Sequence, residues 1–310
     1  MHDVIIIGGG PAGMTAGVFA GRKGLKTAII SKEFGGQANW TTDIENYMGF
    51  IEIDGQALMD RFEAQVREHR LEEITTDAEM ISKEGETFRV FTVDQGEYTG
   101  RTVIIATGKR PKTLNVPGEA EFRNKGVSYC STCDGPLFQG VPVAVVGGGN
   151  SALKAVFDLN NYASEIHLIS LTELTADAIF IDRLKNISKI KQYIKHTVVE
   201  IKGNKLMEGL VVEELETRER FEIPAQGVFI EIGLDPNTEF LEGLVEKTKS
   251  GEIKIDCECK TNVPGLFAAG DVTTVPEKQI IIASGEGAKA AIKAWEYLLE
   301  QEPVKIMAKV

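Results

Sequence analysis

The chain has 310 residues, of which 43% are hydrophobic and 26% are charged, a composition typical of a globular protein long enough for two domains. Its formal net charge of −12 argues against a nucleic-acid partner, because binding to a phosphate backbone needs a cationic surface. No apolar run approaches the length of a membrane span, and the first one breaks into glycines without a basic segment before it, so we expect no membrane association and a cytoplasmic location.

The N-terminal segment predicts a strand, a glycine loop, a helix and a second strand, in that order. An apolar strand at 4–7 runs into the loop, a helix follows over 11–24, and a second strand covers 26–30. This βαβ order is the context in which a G-x-G-x-x-G loop binds a dinucleotide. The residues of this fingerprint are Gly8, Gly10, Gly13 and, twenty positions after the last glycine, Glu33.

The first glycine loop predicts a site for a pyrophosphate. Glycines let the backbone approach the phosphates closely, and the free N–H groups of the helix N-terminus favour an anion. Pro11 and Ala12 complete the loop, and Glu33 would accept a hydrogen bond from a ribose hydroxyl. Further along, VIIATG at 103–108 predicts a buried strand that ends in a tight turn.

The glycine loop occurs twice. VIIIGGGPAG at 4–13 is repeated as VAVVGGGNSA at 143–152, followed by a helix to about Asn161 and a strand at 165–169. The repeat distance is far too long for a solenoid, so it predicts two related domains and two dinucleotides, a flavin held permanently and a nicotinamide that visits. The candidate binding residues of the second loop are Gly147, Gly149, Asn150, Ser151 and Ala152.

The C-terminal part predicts a strand, a turn and a long helix. TNVPGLFAAGDV at 261–272 reads as a strand that ends at Gly270, followed by Asp271, which would bind ribityl hydroxyls. The helix dipole near its N-terminus would stabilise the anion of a reduced flavin ring. The residues that we expect at that helix start are Lys278, Gln279 and Ile280.

Together, these motifs resemble the low-molecular-weight thioredoxin reductase family along nearly the whole chain. The likeness is strongest to the C-terminal reductase part of alkyl hydroperoxide reductase flavoproteins. Those flavoproteins carry thioredoxin-like folds at the N-terminus; this chain begins at its first Rossmann strand, so we expect it to need a separate protein partner. The motifs that carry the resemblance are GGGPAGMTAG, FGGQANWTTDIENYMGF, ATG, CSTCDGPLF, GGGNSA, GLDPNTEF, AAGDV and TTVPEKQIIIASGEGAKA.

The resemblance implies an α/β fold of two Rossmann-like domains, each with a mainly parallel sheet and a small β-meander. The FAD domain would comprise 1–114 and 242–310, and the inserted NAD(P)-type domain would comprise 115–241. The family generally works as a homodimer. The resemblance also implies FAD-binding roles for Gly36, Gln37, Asn46, Thr107 and Gly108.

The sequence contains one Cys-x-x-Cys pair, Cys130 and Cys133, which allows zinc binding, a structural staple or a redox switch. Structural zinc needs four ligands, and neither the scattered histidines nor the remaining cysteines supply a second pair at the right spacing. A staple would close too small a loop to constrain the unfolded chain much. Because the pair lies between two dinucleotide units, we favour the redox interpretation.

By resemblance, Cys133 would contact the flavin ring, Cys130 would attack the substrate disulfide, and Asp134 would act as general acid and base. Asp134 is alternatively an N-cap of a helical turn, and both roles are compatible. The two other cysteines, Cys257 and Cys259, alternate in what we predict to be a strand. Both would then lie on one buried face as core residues, with an auxiliary redox pair as the alternative.

The electron donor is where the chain departs from the family. NADPH-dependent members carry a basic cluster after the second strand of the inserted domain, but no arginine or lysine occurs from Ile166 to Ile181. Ser170 ends that strand, with Glu173 nearby, and Lys154 stands where the family usually has an acid. We therefore expect NADH rather than NADPH, with reduced ferredoxin, a deazaflavin or another flavoprotein as the alternative donor.

Three functions remain compatible with the sequence. The first is an FAD-dependent disulfide reductase acting on a thioredoxin- or glutaredoxin-like protein. The second is a small-molecule dithiol oxidase in which oxygen reoxidises the flavin. The third is a flavoprotein without enzymatic activity, against which the intact C-x-x-C-D argues. We expect no metal site.

Overall fold

The computed structural model describes residues 1–41 and 44–301. The chain divides into two compact units, Met1–Arg110 with Asp235–Val310, and Pro111–Leu234. The sequence predicted domain boundaries at 114/115 and 241/242. Residues 302–310, which the sequence assigned to the first domain, lie outside the described residues. We call the two parts unit 1 and unit 2.

The described residues form six α-helices and seventeen strands. The helices are α1 (Pro11–Arg22), α2 (Gly55–Arg67), α3 (Ser131–Asp134), α4 (Asn150–Leu159), α5 (Ala178–Leu184) and α6 (Ile280–Glu300). The strands are β1 (His2–Gly9), β2 (Thr27–Phe34), β3 (Glu72–Ile74), β4 (Ala78–Glu84), β5 (Thr87–Thr92), β6 (Glu97–Ile105), β7 (Lys109–Pro111), β8 (Val127–Ser128), β9 (Pro142–Val146), β10 (Glu165–Ser170), β11 (Ile190–Ile194), β12 (His196–Gly203), β13 (Met207–Glu214), β14 (Arg220–Pro224), β15 (Gly227–Ile230), β16 (Leu234–Pro236) and β17 (Leu266–Ala268).

The main sheet of unit 1 has the order β3-β2-β1-β6-β5-β4, and β17 also pairs with β6. Strands β3, β2, β1, β6 and β17 are parallel, whereas β4, β5 and the first half of β6 form an antiparallel meander. The register places Ile5 beside both Ala28 and Val103. The carboxyl ends of β1, β6 and β17 therefore meet at one edge of the sheet, the edge at which open α/β sheets bind ligands.

Strand β1 is continuously apolar from Val4 to Ile7 because both faces of a parallel sheet are covered. Val4 and Ile6 join one hydrophobic cluster, and Ile5 and Ile7 join a second cluster on the opposite face. All four side chains are buried. The continuous apolar run of the sequence thus serves two cores at once.

Helices α1 and α6 of unit 1 pack closely because small residues line the contact. A Cβ atom on Gly287 would lie 2.0 Å from the carbonyl oxygen of Ala12, so only glycine fits at that position. Ala290, Ala291 and Ala294 on the same helix are fully buried.

Unit 2 contains a five-stranded sheet of order β11-β10-β9-β15-β8, in which every pair is parallel. A three-stranded antiparallel meander, β12-β13-β14, accompanies it. Both units therefore combine a parallel sheet with an antiparallel one, and the predicted fold class is confirmed. A separate two-stranded sheet pairs β7 with β16.

Several predicted element ends shift by a few residues for local reasons. The helix predicted over 11–24 ends at Arg22, because Lys23 is its C-cap and Gly24 takes a φ of 73°. The strand predicted at 26–30 continues to Phe34. Across 1–41 and 44–301, no helix is long and apolar enough to cross a membrane.

Candidate active site

Cys130 and Cys133 form a disulfide at the start of α3, with their Cα atoms 5.3 Å apart. Cys130 is the N-cap of this short helix, and its Sγ accepts a hydrogen bond from the Cys133 backbone N–H at 3.2 Å. A backbone donor aimed at Sγ stabilises a thiolate more than a thiol. The fold therefore supplies a stabilising contact for a Cys130 thiolate.

Asp134 is held beside this disulfide by Ser128. The Ser128 hydroxyl donates to Asp134 Oδ2 at 2.6 Å and accepts from the Cys130 backbone N–H at 3.1 Å. Asp134 occupies the N-cap position of the 3-10 turn Gly135–Phe138, but its side chain makes no capping hydrogen bond there. Its carboxylate is oriented by Ser128, a residue that the sequence did not single out.

Two further carboxylates contact α3, and sequence reasoning missed both. Asp158 of α4 accepts from the hydroxyls of Ser131 and Thr132, each at 3.2 Å. Glu231, which follows β15, accepts from the Ser151 hydroxyl at 2.9 Å. Burial raises the pKa of Glu231 to about 7, which the Ser151 hydroxyl and the Ser131 backbone N–H partly oppose.

The first glycine loop is as tight as its fingerprint requires. Gly8 has a φ of 110°, and a Cβ there would lie 2.3 Å from the carbonyl oxygen of Ala106. A Cβ on Gly13 would lie 1.8 Å from the carbonyl oxygen of Gly8. These two glycines are needed by the protein's own packing, independently of any ligand.

Gly10 and Gly36 are different, because open space lies beside them. A Cβ on Gly10 would meet no protein atom within 4 Å, and one on Gly36 would lie 3.5 Å from the Gly10 Cα. Gly10 is also the N-cap of α1 and provides no side-chain cap. The first N–H groups of the helix thus face a backbone cradle, the arrangement that binds a dinucleotide pyrophosphate.

The strand ends around this cradle are fixed by side chains. Ser31 accepts from the Gly9 backbone N–H at 2.9 Å and donates to the Glu33 carbonyl oxygen at 2.6 Å. The Glu33 side chain itself is exposed. Gln37 Nε2 donates to the Lys109 carbonyl oxygen, and Asn46 Nδ2 donates to Gln279 Oε1 at 3.1 Å.

Asn237 holds Thr107 and Gly108 in place by hydrogen bonds. The Thr107 hydroxyl donates to the Asn237 carbonyl oxygen at 2.7 Å, and Asn237 Nδ2 donates to the Thr107 carbonyl oxygen at 2.8 Å. The Asn237 backbone N–H donates to the Gly108 carbonyl oxygen at 3.1 Å. Asn237 lies within the GLDPNTEF motif, so the motif's asparagine anchors the turn after β6.

Asp271 and Lys278 lie in a charged cluster at the end of β17. Burial raises the pKa of Asp271, while Lys278 and Lys109 oppose the rise. Lys109 Nζ lies 2.5 Å from Glu252 Oε1, and Lys278 Nζ lies 3.7 Å from the same oxygen. Lys278 also donates to the Thr273 carbonyl oxygen at 2.8 Å.

The residues of unit 1 fit an FAD. The cradle at Gly10 and Gly36 suits a pyrophosphate, and Asp271 is a half-buried carboxylate for which no protein hydrogen-bond donor is found among the described residues. A polar group in such a position needs a partner, and ligand hydroxyls would provide one. Gly270 is held in place because its N–H donates to Glu286 Oε2 at 2.8 Å.

The second glycine loop lies in unit 2. Gly147 has a φ of 144° and its Cβ would lie 2.4 Å from the Glu231 carbonyl oxygen, whereas beside Gly149 the first atom lies 3.9 Å away. Asn150 donates to Asp177 Oδ2 at 3.1 Å and accepts from the Asp177 N–H at 2.8 Å. Ala152 is fully buried against the loop.

The described segment directly after β10, residues 171–181, contains no lysine or arginine. The Ser170 hydroxyl donates to the Thr172 carbonyl oxygen at 2.7 Å, which turns the chain directly after β10. Lys195 interacts electrostatically with Glu173, but its ammonium lies 2.8 Å from Glu216. Lys154 lies over the ring of Phe180.

The interpretation of Cys257 and Cys259 as two strand residues on one buried face is wrong. The segment forms a turn in which Asp256 Oδ1 accepts from the N–H groups of Glu258 at 2.8 Å and Lys260 at 2.9 Å. Cys257 is exposed, whereas Cys259 is fully buried, and both are free thiols. Among the described residues, no group of three or more metal-ligating side chains is found.

Two glycine-loop units in one chain, together with a Cys-x-x-Cys disulfide, define a disulfide oxidoreductase of the two-Rossmann-domain class. The chain belongs to the pyridine nucleotide-disulphide oxidoreductase family, whose sequence model matches residues 2–292. The family resemblance drawn from the motifs is confirmed.

Curated relatives extend beyond the length of this chain. A relative from Escherichia coli K12, one of the alkyl hydroperoxide reductase subunits, is 43% identical over 310 residues. A protein named NADH dehydrogenase of Bacillus subtilis 168 is 40% identical over 298 residues. Each alignment covers 96% of this chain and 58% of the relative. The chain thus spans a little over half of these proteins.

Solved structures match over their full length. Thioredoxin reductase from Streptococcus pyogenes superposes with a TM-score of 0.92 at 37% identity, covering 97% of this chain and 99% of that one. Thioredoxin reductase from Giardia duodenalis superposes with a TM-score of 0.91 at 31% identity, covering 96% and 99%.

Proposed function

We propose that the chain is an FAD-dependent disulfide reductase that passes electrons through Cys130 and Cys133 to a thioredoxin- or glutaredoxin-like protein disulfide. The observation that carries this proposal is the disulfide itself, with its thiolate-stabilising contact and the adjacent Asp134. The thioredoxin reductases among the matching structures support it, as do the alkyl hydroperoxide reductase subunits among the relatives.

The first glycine loop, Asp271 and the start of α6 would hold FAD, which when bound supplies two electrons for reduction of the disulfide. Reduction breaks the S–S bond. The two cysteine sulfurs that result together bind the protons that are taken up with the electrons. The Cys130 thiolate then attacks one sulfur of the substrate disulfide and forms a mixed disulfide, while the other substrate sulfur leaves as a thiolate.

The Cys133 thiolate completes the exchange. It attacks the Cys130 sulfur, restores the Cys130–Cys133 disulfide and releases the second substrate sulfur. Asp134 would deliver a proton to a leaving thiolate and recover it in the next cycle, and Ser128 keeps its carboxylate oriented for this transfer.

As donor we propose NADH. A 2′-phosphate needs a cation, and the segment from Ile166 to Ile181 contains no lysine or arginine. The relative from Bacillus subtilis that is named NADH dehydrogenase supports the same choice. The second glycine loop, with Gly149 open to an approaching group, would receive the pyrophosphate.

A non-nicotinamide donor is the second candidate. It is favoured by the side chains around the second loop, where Asn150 is engaged by Asp177 and no acidic residue ends β10. A reduced ferredoxin, a deazaflavin or another flavoprotein would then reduce the flavin directly.

Anaerobic flavin reduction with a panel of donors tests the donor assignment. We expect millimolar NADH to bleach the flavin absorbance, and NADPH to do so far more slowly. Unchanged absorbance with NADH, together with bleaching by reduced ferredoxin or a reduced deazaflavin, would reject the first donor in favour of the second.

The acceptor is tested separately by insulin reduction with added thioredoxin. We expect NADH consumption to depend on thioredoxin and to be matched by new thiols. A dithiol oxidase would instead consume oxygen with a small dithiol and ignore thioredoxin, which would overturn the proposed direction of electron flow.

A further inference from the structure

The two residues between the active-site cysteines share one carboxylate. The hydroxyls of Ser131 and Thr132 both donate to Asp158 Oδ2, each at 3.2 Å. Asp158 lies near the end of α4, 27 positions after Ser131 and 26 positions after Thr132. One acid of a neighbouring helix therefore holds the middle of the Cys-x-x-Cys segment.

Asp158 itself is fixed, because the opposite face of α4 is anchored in the core. Leu153, Val156 and Leu159 of this helix are fully buried in one hydrophobic cluster of unit 2. Gly135, the C-cap of α3, packs against the end of α4, where a Cβ would lie 3.7 Å from Leu159 Cδ2. The carboxylate is thus presented to α3 by a helix that cannot move without opening this cluster.

Helix α3 depends on such contacts from outside. It has four residues, about one turn, and a helix of this length is not stable by itself. In the oxidised protein the Cys130–Cys133 bond joins its N-cap to its third residue. When that bond is broken, Ser128 still holds the N-terminal side of the turn and Asp158 still holds its middle.

We propose that Asp158 is a positioning residue that keeps Cys130 and Cys133 close enough for the disulfide to re-form after it has been opened. This inference rests on the proposed function, in which the Cys133 thiolate attacks the Cys130 sulfur of a mixed disulfide. In that step the Cys130–Cys133 bond forms and the bond from Cys130 to the substrate breaks. The substrate sulfur leaves with the electron pair as a thiolate, so no external oxidant is needed.

The physical reason is the conformational entropy of the reduced site. In the oxidised protein the covalent bond already fixes both sulfurs, so the contacts of Asp158 add little to their positions. In the reduced protein the two hydrogen bonds restrict the turn, which raises the effective concentration of one sulfur at the other. Closure of the disulfide is therefore favoured, and the pair becomes harder to reduce.

The equilibrium between this disulfide and dithiothreitol tests the proposal. Each protein disulfide that is reduced converts one dithiothreitol into its cyclic disulfide, so the ratio of the two reagents sets the potential. The flavin-loaded protein is equilibrated anaerobically without a nicotinamide, quenched with acid and alkylated with N-ethylmaleimide. The mass of the tryptic peptide 126–154, whose only cysteines are Cys130 and Cys133, then gives the reduced fraction.

We expect Asp158→Ala to shift this equilibrium toward the dithiol by about tenfold, because two hydrogen bonds to a charged group are lost. For a two-electron couple this equals a rise of about 30 mV in the reduction potential of the pair. Asp158→Asn should stay within about twofold of the parent, because the amide oxygen still accepts from both hydroxyls.

The matched control is Asp182→Ala, the same change at an exposed acid of unit 2 that is paired with Lys185. Its equilibrium should equal that of the parent. An unchanged equilibrium in Asp158→Ala would overturn the proposal. An equal shift in Asp158→Asn would also overturn it, because the charge of Asp158 would then act rather than its hydrogen bonds.

A double variant, Ser131→Ala with Thr132→Val, removes the same two hydrogen bonds from the side of α3. It should shift the equilibrium as far as Asp158→Ala does. Addition of Asp158→Ala to the double variant should cause no further shift, because the interaction is already lost. Shifts that simply add would mean that Asp158 acts through other contacts, against the proposal.

This measurement is independent of the proposed donor and acceptor, because it uses neither a nicotinamide nor thioredoxin. A failure of thioredoxin reduction in the unmodified protein would overturn the proposed function and leave the role of Asp158 at the disulfide intact. Normal thioredoxin reduction together with an unchanged equilibrium in Asp158→Ala would overturn the positioning role alone.

Discussion

The Ser128 hydroxyl lies 2.6 Å from Asp134 Oδ2 and orients that carboxylate beside the Cys130–Cys133 disulfide. We predict that Asp134→Asn lowers kcat for thioredoxin reduction by about 100-fold, because the amide accepts the Ser128 hydrogen bond but cannot transfer a proton. Stopped-flow absorbance should still show reduction of the flavin by its donor. Ser128→Ala, which keeps the carboxylate, should cost clearly less; an equal loss would assign Asp134 a purely structural role.

Cys130→Ser separates the two halves of the reaction. Because Cys130 is proposed to attack the substrate, the variant should retain anaerobic flavin reduction and lose turnover with a protein disulfide. Cys257→Ser is the matched control, since it changes an exposed free thiol and should keep full turnover. Normal insulin reduction by Cys130→Ser would contradict the assignment of Cys130 as the attacking sulfur.

The first glycine loop offers a comparison between packing and ligand binding. Gly13→Ala places a Cβ 1.8 Å from a carbonyl oxygen, so we expect it to destabilise the protein by about 3 kcal/mol. The Cβ added by Gly10→Ala meets no protein atom. The free energy of unfolding of this variant, as apoprotein, should therefore lie within about 0.5 kcal/mol of the parent value. Urea unfolding of the apoprotein measures both.

The same Gly10→Ala variant should bind FAD at least tenfold more weakly, because its methyl group occupies the cradle. Flavin content, read from the ratio of visible to ultraviolet absorbance after reconstitution, checks this expectation. Full flavin content in a stable Gly10→Ala protein would place the pyrophosphate elsewhere.

The two free cysteines should differ sharply in reactivity. Burial raises the pKa of Cys259 to about 12, so at pH 8 only about one molecule in 10⁴ carries its thiolate. Titration of the native oxidised protein with Ellman's reagent should therefore detect one thiol, and titration in guanidinium chloride should detect two. Cys257→Ser should remove the native signal; if it persists, Cys259 is accessible.

The parts of the fold that the sequence predicted are those encoded by local pattern. The fingerprint at Gly8 and Gly13 predicts a tight strand–loop–helix connection, and the structure has it. Gly13 is required by the Gly8 carbonyl oxygen in the same βαβ unit, whereas Gly8 is required by Ala106, directly after β6. The same is true of the long helix α6, whose alanines and glycines mark its packed face.

The parts that escaped depend on contacts between distant segments or on one competing hydrogen bond. Glu231 accepts a hydrogen bond from Ser151, which lies eighty positions earlier in the chain. No spacing rule links an acid after a buried strand to a serine at the start of a distant helix. The two cysteines Cys257 and Cys259, two positions apart, predicted a strand with both side chains on one face. Asp256 instead binds two backbone N–H groups, and Cys259 takes a φ of 63°, so local hydrogen bonding overrode the pattern.

Strand β17 has a consequence for biosynthesis. It completes the parallel sheet of unit 1 by pairing Leu266 with Val103, and α6 then covers α1. The whole of unit 2, a continuous segment, leaves the ribosome before either of them does. Residues 1–110 of unit 1 are therefore synthesised before the strand and the helix that cover them, so their apolar face stays uncovered while unit 2 is made. This interval is the time at which we expect a chaperone to be most useful.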